Sequence, residues 1–337
     1  MTAPTPPGVK TVTADNGYQA MIDAETVDEF VHSQTTRKEA KYKKDIKEFD
    51  SSERTIHRFL SNACKSRFNN VANYDEVLDP KDHEFYVHAN TIRSPWGNFI
   101  IAQKPISETL GDFLHLLWIY NVRTIVSMLT PEDTGEYFDV AVGGKYTSLF
   151  RYTMKTLNVF NEKQGITVYQ CELSSFRAPG PARMIYIVCC PTPASGPRNA
   201  RMHSVALEVM WACEETNAIE GYNTTVLVHG EAGTRRCAAF VASAMMCRQI
   251  LETGKFSSMD TWVEIRKRRY GACSRRQDFY SSLLTVFQFC HQIGLVSGKD
   301  ESYTKTTNLL NDLINREAIA FTKPPPSTPL PGSSAMQ

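Results

Sequence analysis

Between a short apolar run and a long helical pattern lies a loop suited to anion chemistry, His229-Gly230-Glu231-Ala232-Gly233-Thr234-Arg235-Arg236. Val226, Leu227 and Val228 read as a buried strand, and Phe240, Val241, Ala244, Met245 and Ile250 recur at helical spacing. The loop Gly230–Arg236 therefore joins a strand to a helix N-terminus. A first helical turn carries unpaired N–H groups at the positive end of the helix dipole, and a loop bent around glycine turns further N–H groups inward. Arg236 adds a planar two-pronged donor for phosphate oxygens. The predicted phosphate cradle consists of Arg236 and the backbone from Gly230 through Glu231, Ala232, Gly233, Thr234 and Arg235. Cys237 follows at once, beside two arginines at a helix start; it reads first as an inert packed thiol, and as the alternative a redox-reactive one whose pKa that setting lowers.

The loop resembles the signature H-C-x-A-G-x-G-R-[ST]-G of the phosphotyrosine-specific protein phosphatases, with His229, Ala232, Gly233 and Arg236 in register. The departures matter more than the matches. The signature's nucleophilic cysteine is Gly230, its second glycine is Arg235, its hydroxyl residue is Cys237 and its closing glycine is Ala238. The segment KSRFNNV from Lys65 to Val71 resembles the family's K-N-R-Y-x-D-V, which walls the phosphotyrosine slot. Phe68 takes the tyrosine position, where its ring either stacks on a phosphotyrosine or only packs in the core; Asn70 takes the aspartate position and lacks the carboxylate that grips ligand backbone. FYVHAN from Phe85, FIIAQKP from Phe99, DFLHLLW from Asp112 and the strand Val122–Leu129 resemble further family segments in the family's order, with Lys104 in place of a glycine. The resemblance runs from Ser61 to Leu295. It implies an α/β tyrosine-phosphatase-like fold: a twisted mixed sheet flanked by helices, with the phosphate-binding loop between a central strand and a helix N-terminus.

The same comparison implies that three catalytic functions are absent. Gly230 has no side chain to form a phosphoenzyme. The family's mobile W-P-D loop matches the stretch at Pro191, which puts Cys190 at the tryptophan and Thr192 at the general acid; no Asp occurs between Asp139 and Asp260 to take that role. A positioned proton donor is worth about 10²–10⁴-fold, and a threonine hydroxyl does not supply it near neutral pH. Counted from Arg268, the family's R-x-x-x-x-Q-T-x-x-Q stretch places Cys273 at the water-positioning glutamine and retains Gln277 at the second. Cys237 is set behind the nucleophile position and does not replace it. Glu231, Arg235 and Arg236 sum to +1, and phosphate affinity turns on whether Glu231 faces the ligand, faces solvent or pairs with Arg235. Arg235, standing where the signature has glycine, raises the expectation of backbone strain.

At 337 residues, 42% apolar, with 17 Phe, 14 Tyr and 4 Trp, the chain can bury one large core. The expected organisation is a flexible leader over 1–21, one phosphatase-like domain over 22–320 and a proline-rich tail over 321–337. A net charge of +1 gives no pull toward nucleic acid or a membrane surface, and no apolar run is long enough to span a bilayer. Nine cysteines, without framework or metal spacing and without a secretory leader, point to reduced thiols in the cytoplasm and to no metal or other cofactor. A helical pattern covers Ile22 to Asn62, turns are expected over Glu132–Gly144, antiparallel strands over Ser148–Tyr152, Leu157–Phe160 and Ile166–Leu173, and a buried strand over Met184–Cys190. The tail segment Lys323–Pro331 has the order of a polyproline ligand for a Src-homology-type domain. The leading expectation is an inactive phosphatase that holds a tyrosine-phosphorylated protein, a kinase among the candidates. A phosphate-independent scaffold with a vestigial pocket and a weakly active phosphatase remain the alternatives.

Overall fold

The computed structural model describes residues 55–322, apart from 69, 149–150, 162, 177–179, 194–198, 222–223 and 273–274. The expected leader, most of the helical pattern from Ile22 to Asn62 and the proline segment from Lys323 lie outside these residues, as does Cys273. The described part of that helical pattern is the short helix α1 (His57–Ser61).

Eight strands form one mixed sheet: β1 (Ala89–Ser94), β2 (Gly97–Gln103), β3 (Val122–Ser127), β4 (Lys145–Ser148), β5 (Tyr152–Asn161), β6 (Thr167–Ser175), β7 (Arg183–Cys189) and β8 (Thr225–Gly230). Their spatial order is β1-β2-β8-β3-β7-β6-β5-β4. The four strands β2, β8, β3 and β7 run parallel, and antiparallel strands flank them on both sides. Parallel strands covered on both faces read as continuous apolar runs, which is why Val226–Val228 was legible.

The helices are α2 (Leu110–Ile119), the one-turn α3 (Pro131–Thr134), α4 (Ala200–Ile219), α5 (Arg235–Thr253), α6 (Ser258–Arg268), α7 (Arg276–Gln292) and α8 (Glu301–Thr322). One face of the sheet packs on α2 with Phe85, Val87, Tyr137 and Phe138. The other packs on a layer made from α4 through α8. α5 is buried from Cys237 to Cys247, because the sheet, α6 and α7 enclose it; it ends at Gly254 in the left-handed conformation, φ +74°.

Two expectations need correction. Ser148 to Tyr152 is not one strand: Ser148 ends β4 and Tyr152 opens β5, the two are paired antiparallel, and Arg151 N–H donates to Ser148 O at 2.7 Å; residues 149–150 lie outside the described ones. The turn region after Leu129 contains α3, whose N-terminus is capped by Thr130 Oγ1 accepting from Asp133 N–H at 3.1 Å.

Register sets the site. Gln103 pairs with Gly230, Ser127 with His229, and Ser127 with Cys189, so β2, β8, β3 and β7 end at one level. The segments that follow, at Lys104, Glu231, Met128 and Cys190, emerge together in the crevice at the carboxyl ends of the strands, where ligands of open α/β sheets bind.

Candidate functional site

The loop occupies Glu231–Thr234, with Gly230 closing β8 and Arg235 opening α5. Lys104 N–H donates to Gly230 O at 2.8 Å and Met128 N–H to His229 O at 2.9 Å, which ties the base of the loop to both neighbouring strands. Gly233 has φ +57°, and a Cβ there would lie 2.0 Å from Ala102 O. No other residue type fits that position.

Arg269 grips the loop from behind. Its Nε donates to Gly233 O at 2.8 Å and its Nη2 to Ala232 O at 3.3 Å, while Nη1 reaches Asn73 Oδ1 at 2.5 Å and Asn90 Oδ1 at 3.0 Å. A trans peptide points its N–H opposite to its C=O, so carbonyls held toward Arg269 turn the N–H groups of Gly233 and Thr234 to the other side. Arg269 is wholly buried, and burial lowers its pKa to about 10. Its Nη2 also meets His88 Nδ1 at 3.0 Å, and His88 Nε2 lies 2.8 Å from Val71 O; a neutral ring donating from Nε2 and accepting at Nδ1 satisfies both. Burial, and then the Arg269 charge, depress the His88 pKa to about 3. Arg268 lies on the surface, 3.5 Å from Glu264, and Arg269, in extended conformation just past α6, is the residue that reaches the loop.

A Cβ built on Gly230 would stand 3.2 Å from Cys237 Sγ and 3.5 Å from Met128 Cβ. Cys237 thus fills the space beside the vacant position, and at 1% exposure it is the packed thiol of the first reading rather than a thiol accessible to oxidants. Arg236 Nη1 donates to Thr192 O and, at 3.2 Å, to Met128 O. Thr192 is buried, and its hydroxyl turns inward to His203 Nε2 at 2.8 Å and Cys190 O at 3.1 Å. Cys190 is buried too, and desolvation pushes its thiol up to about 12.

The remaining loop side chains go elsewhere. Arg235 shows none of the expected strain: among the described residues only Asn121 and Gln164 are non-glycines at positive φ, because Arg235 is the first residue of α5. Its Nε donates to the fully buried Asp278 Oδ2 at 2.8 Å, and its Nη2 lies 3.5 Å from Gln277 Oε1 on the same helix. Glu231 does not pair with Arg235. It lies 3.6 Å from Arg67 Nε and 3.8 Å from Lys104 Nζ, and the same two cations meet Glu136 at 3.2 and 3.0 Å. Phe68 is half-buried on the adjoining segment and Asn70 is exposed. His229 is buried with Nε2 2.9 Å from Tyr137 OH; desolvation, and then Lys104, depress its pKa to about 3.

The profile of the protein-tyrosine phosphatases matches residues 62–288. The chain belongs to this family. The mouse tyrosine-protein phosphatase non-receptor type 18 is 25% identical over 259 residues, covering 68% of this chain and 52% of that protein, so the chain spans about half the length of this curated relative. Among solved structures, the catalytic domain of human protein tyrosine phosphatase non-receptor type 18 superposes with a TM-score of 0.60 at 20% identity, covering 73% of this chain and 94% of that one. A structure solved to explain the PTPN18 fingerprint on distinct HER2 tyrosine phosphorylation sites superposes with a TM-score of 0.64 at 17% identity, covering 78% and 98%. At such identities the likeness shows the fold.

Within the phosphatase fold, then, Gly230, Arg236 and Thr192 come together at one crevice, with Gln277 behind the loop. Sequence reasoning missed Arg269, Asp278 and the Arg67–Glu136 part of the ion network. A run of basic residues at 266–269 signals the first, but only the backbone turn after α6 decides which arginine faces inward. Among the described residues no helix is long and apolar enough to cross a membrane.

Proposed function

We propose that this family member is catalytically inactive and acts as a pseudophosphatase that binds, and so shields or sequesters, tyrosine-phosphorylated partner proteins. The observation that carries the reading is Gly230: the residue ending β8 at the base of the loop has no side chain, and Cys237 Sγ closes the adjoining space. Thr192 adds to it, since a buried hydroxyl bonded to His203 is turned away from any leaving group. Recognition is supported by the retained cradle. Arg269 turns loop N–H groups outward, α5 contributes the positive end of its dipole, and Arg236 reaches the same crevice. Phe68 is the ring that would stack on a phosphotyrosine. Protein phosphotyrosine is the ligand class suggested by the family and by the HER2 tyrosine phosphorylation sites studied with PTPN18. A cytoplasmic setting agrees with the eight cysteines of the described residues, which are not bridged into disulfides.

One observation favours a second reading, a phosphate-independent scaffold: the Arg236 guanidinium already donates to two main-chain carbonyls. Titration of the full chain with a degenerate phosphotyrosine-peptide library, against unphosphorylated peptides and an Arg236→Met variant, separates the two. Recognition at the loop requires binding that depends on both phosphate and Arg236. Binding indifferent to phosphate would leave the scaffold reading, with the 323–331 proline segment the first surface to test against Src-homology-type domains. Hydrolysis of 4-nitrophenyl phosphate that Arg236→Met abolishes would refute inactivity.

A further inference from the structure

We propose that Glu231 is an internal competitor for phosphate: with Glu136 it occupies a pair of cations, Arg67 and Lys104, at the rim of the loop, and a phosphotyrosine ligand binds only as Glu231 gives way. This rests on the reading that the loop takes phosphate. It starts from the layering of four charges. Lys104 lies innermost, its side chain 6% exposed, and Arg67 next at 24%, while the carboxylates of Glu231 and Glu136 lie outermost at 36% and 40%. The cations are fixed by the fold. Arg67 N–H donates to Gln103 Oε1 at 2.7 Å and its Nη2 to Pro105 O at 2.9 Å, and the Lys104 backbone is bonded to Gly230.

The carboxylate of Glu231 has no comparable anchoring. It spans Arg67 Nε and Lys104 Nζ at 3.6 and 3.8 Å, beyond hydrogen-bond length, and Arg67 Nε is buried with no hydrogen-bond partner among the described residues. Two cations thus share an anion that satisfies neither fully, in a position open to solvent on its outer side. Glu231 also follows Gly230 directly in the cradle, so its charge opposes a dianion there. Removing that charge acts twice in the same direction, ending a repulsion and leaving Arg67 and Lys104, where they stand, balanced by Glu136 alone.

The sign of one substitution tests this. Were Glu231 a brace that preorganises the loop, Glu231→Gln would weaken ligand binding; as a competitor, its removal tightens it. The probe is free O-phosphotyrosine titrated calorimetrically into the full chain, with wild type, Glu231→Gln, Glu136→Gln, Arg236→Met and the Glu231→Gln, Arg236→Met double variant, each checked for an unchanged melting transition. The expected result is a gain of about fivefold in Glu231→Gln, the scale of one half-exposed charge contact, a smaller gain in Glu136→Gln, and no binding in either variant lacking Arg236. Equal affinities in wild type and both glutamine variants, with Arg236 still required, would overturn the competitor and leave phosphate recognition standing. Weaker binding in Glu231→Gln would assign it the brace instead. Absence of binding in all variants, the unlocked ones included, would overturn both readings.

Discussion

Gly230 and Gly233 are separated by two residues in one loop and are glycine for opposite reasons. At Gly233 the backbone demands it, through a positive φ and a Cβ that would lie 2.0 Å from Ala102 O. Gly233→Ala should therefore cost about 2–3 kcal/mol or more in urea unfolding, and a loss under 0.5 kcal/mol would mean that the loop does not hold this conformation. At Gly230 the backbone is ordinary and a side chain is tolerated at the expense of crowding Cys237, 3.2 Å from the new Cβ. Gly230→Cys should fold yet fail to turn over an aryl phosphate, since Thr192 remains buried and bonded to His203. Normal turnover by that variant would show that another group supplies the proton. Arg269 belongs to the same scale: Arg269→Leu strands the oxygens of Asn73, Asn90, Ala232 and Gly233, and about 2–4 kcal/mol of stability should go with them.

At the level of elements, the site is a junction of strand ends with one helix start, and the Arg235–Asp278 pair pins that start to α7. Asp278 is fully buried and Arg235 is one-fifth exposed, so the two partners are not equivalent. Arg235→Met would take the Arg235 cation away from a fully buried carboxylate, at a cost of up to about 3–5 kcal/mol. The double variant Arg235→Met, Asp278→Leu should recover much of it, because a buried ion pair is often replaceable by apolar groups of similar volume. Chemical denaturation of the two variants decides the point, and a double variant no more stable than the single one would place the loss in α5 packing instead.

For the whole molecule, two buried histidines set an acid limit. The pKa values of His88 and His229 fall from 6.5 to about 3 on folding, chiefly through desolvation. Above pH 6.5 both rings are neutral in either state and contribute nothing to the pH dependence. Below it the unfolded chain binds protons that the fold refuses, so stability drops by about 1.4 kcal/mol per pH unit for each histidine until the folded pKa near 3 is reached. Melting temperature should fall steadily from pH 7 to pH 4.5, with proton uptake on unfolding measurable by calorimetry in buffers of different ionisation enthalpy. A flat profile over that interval would mean that neither ring is held neutral.

The sequence alone determined the strand, loop and helix that make the cradle, since an apolar run over Val226–Val228, a glycine-bearing loop and a helical repeat from Phe240 are local patterns set by backbone geometry and burial on both faces. It also showed which residue types stand at Gly230 and Thr192, because identity is read directly once the segments are aligned. Tertiary structure decided everything that depends on which side chains meet across the sheet. Glu231 turns to Arg67 and Lys104, 164 and 127 positions earlier in the chain, and Arg235 turns to Asp278, 43 positions later. Arg269 rather than Arg268 reaches the loop because the chain leaves α6 in extended conformation. Such partners are chosen by strand register and helix packing over long separations, and no local pattern encodes them.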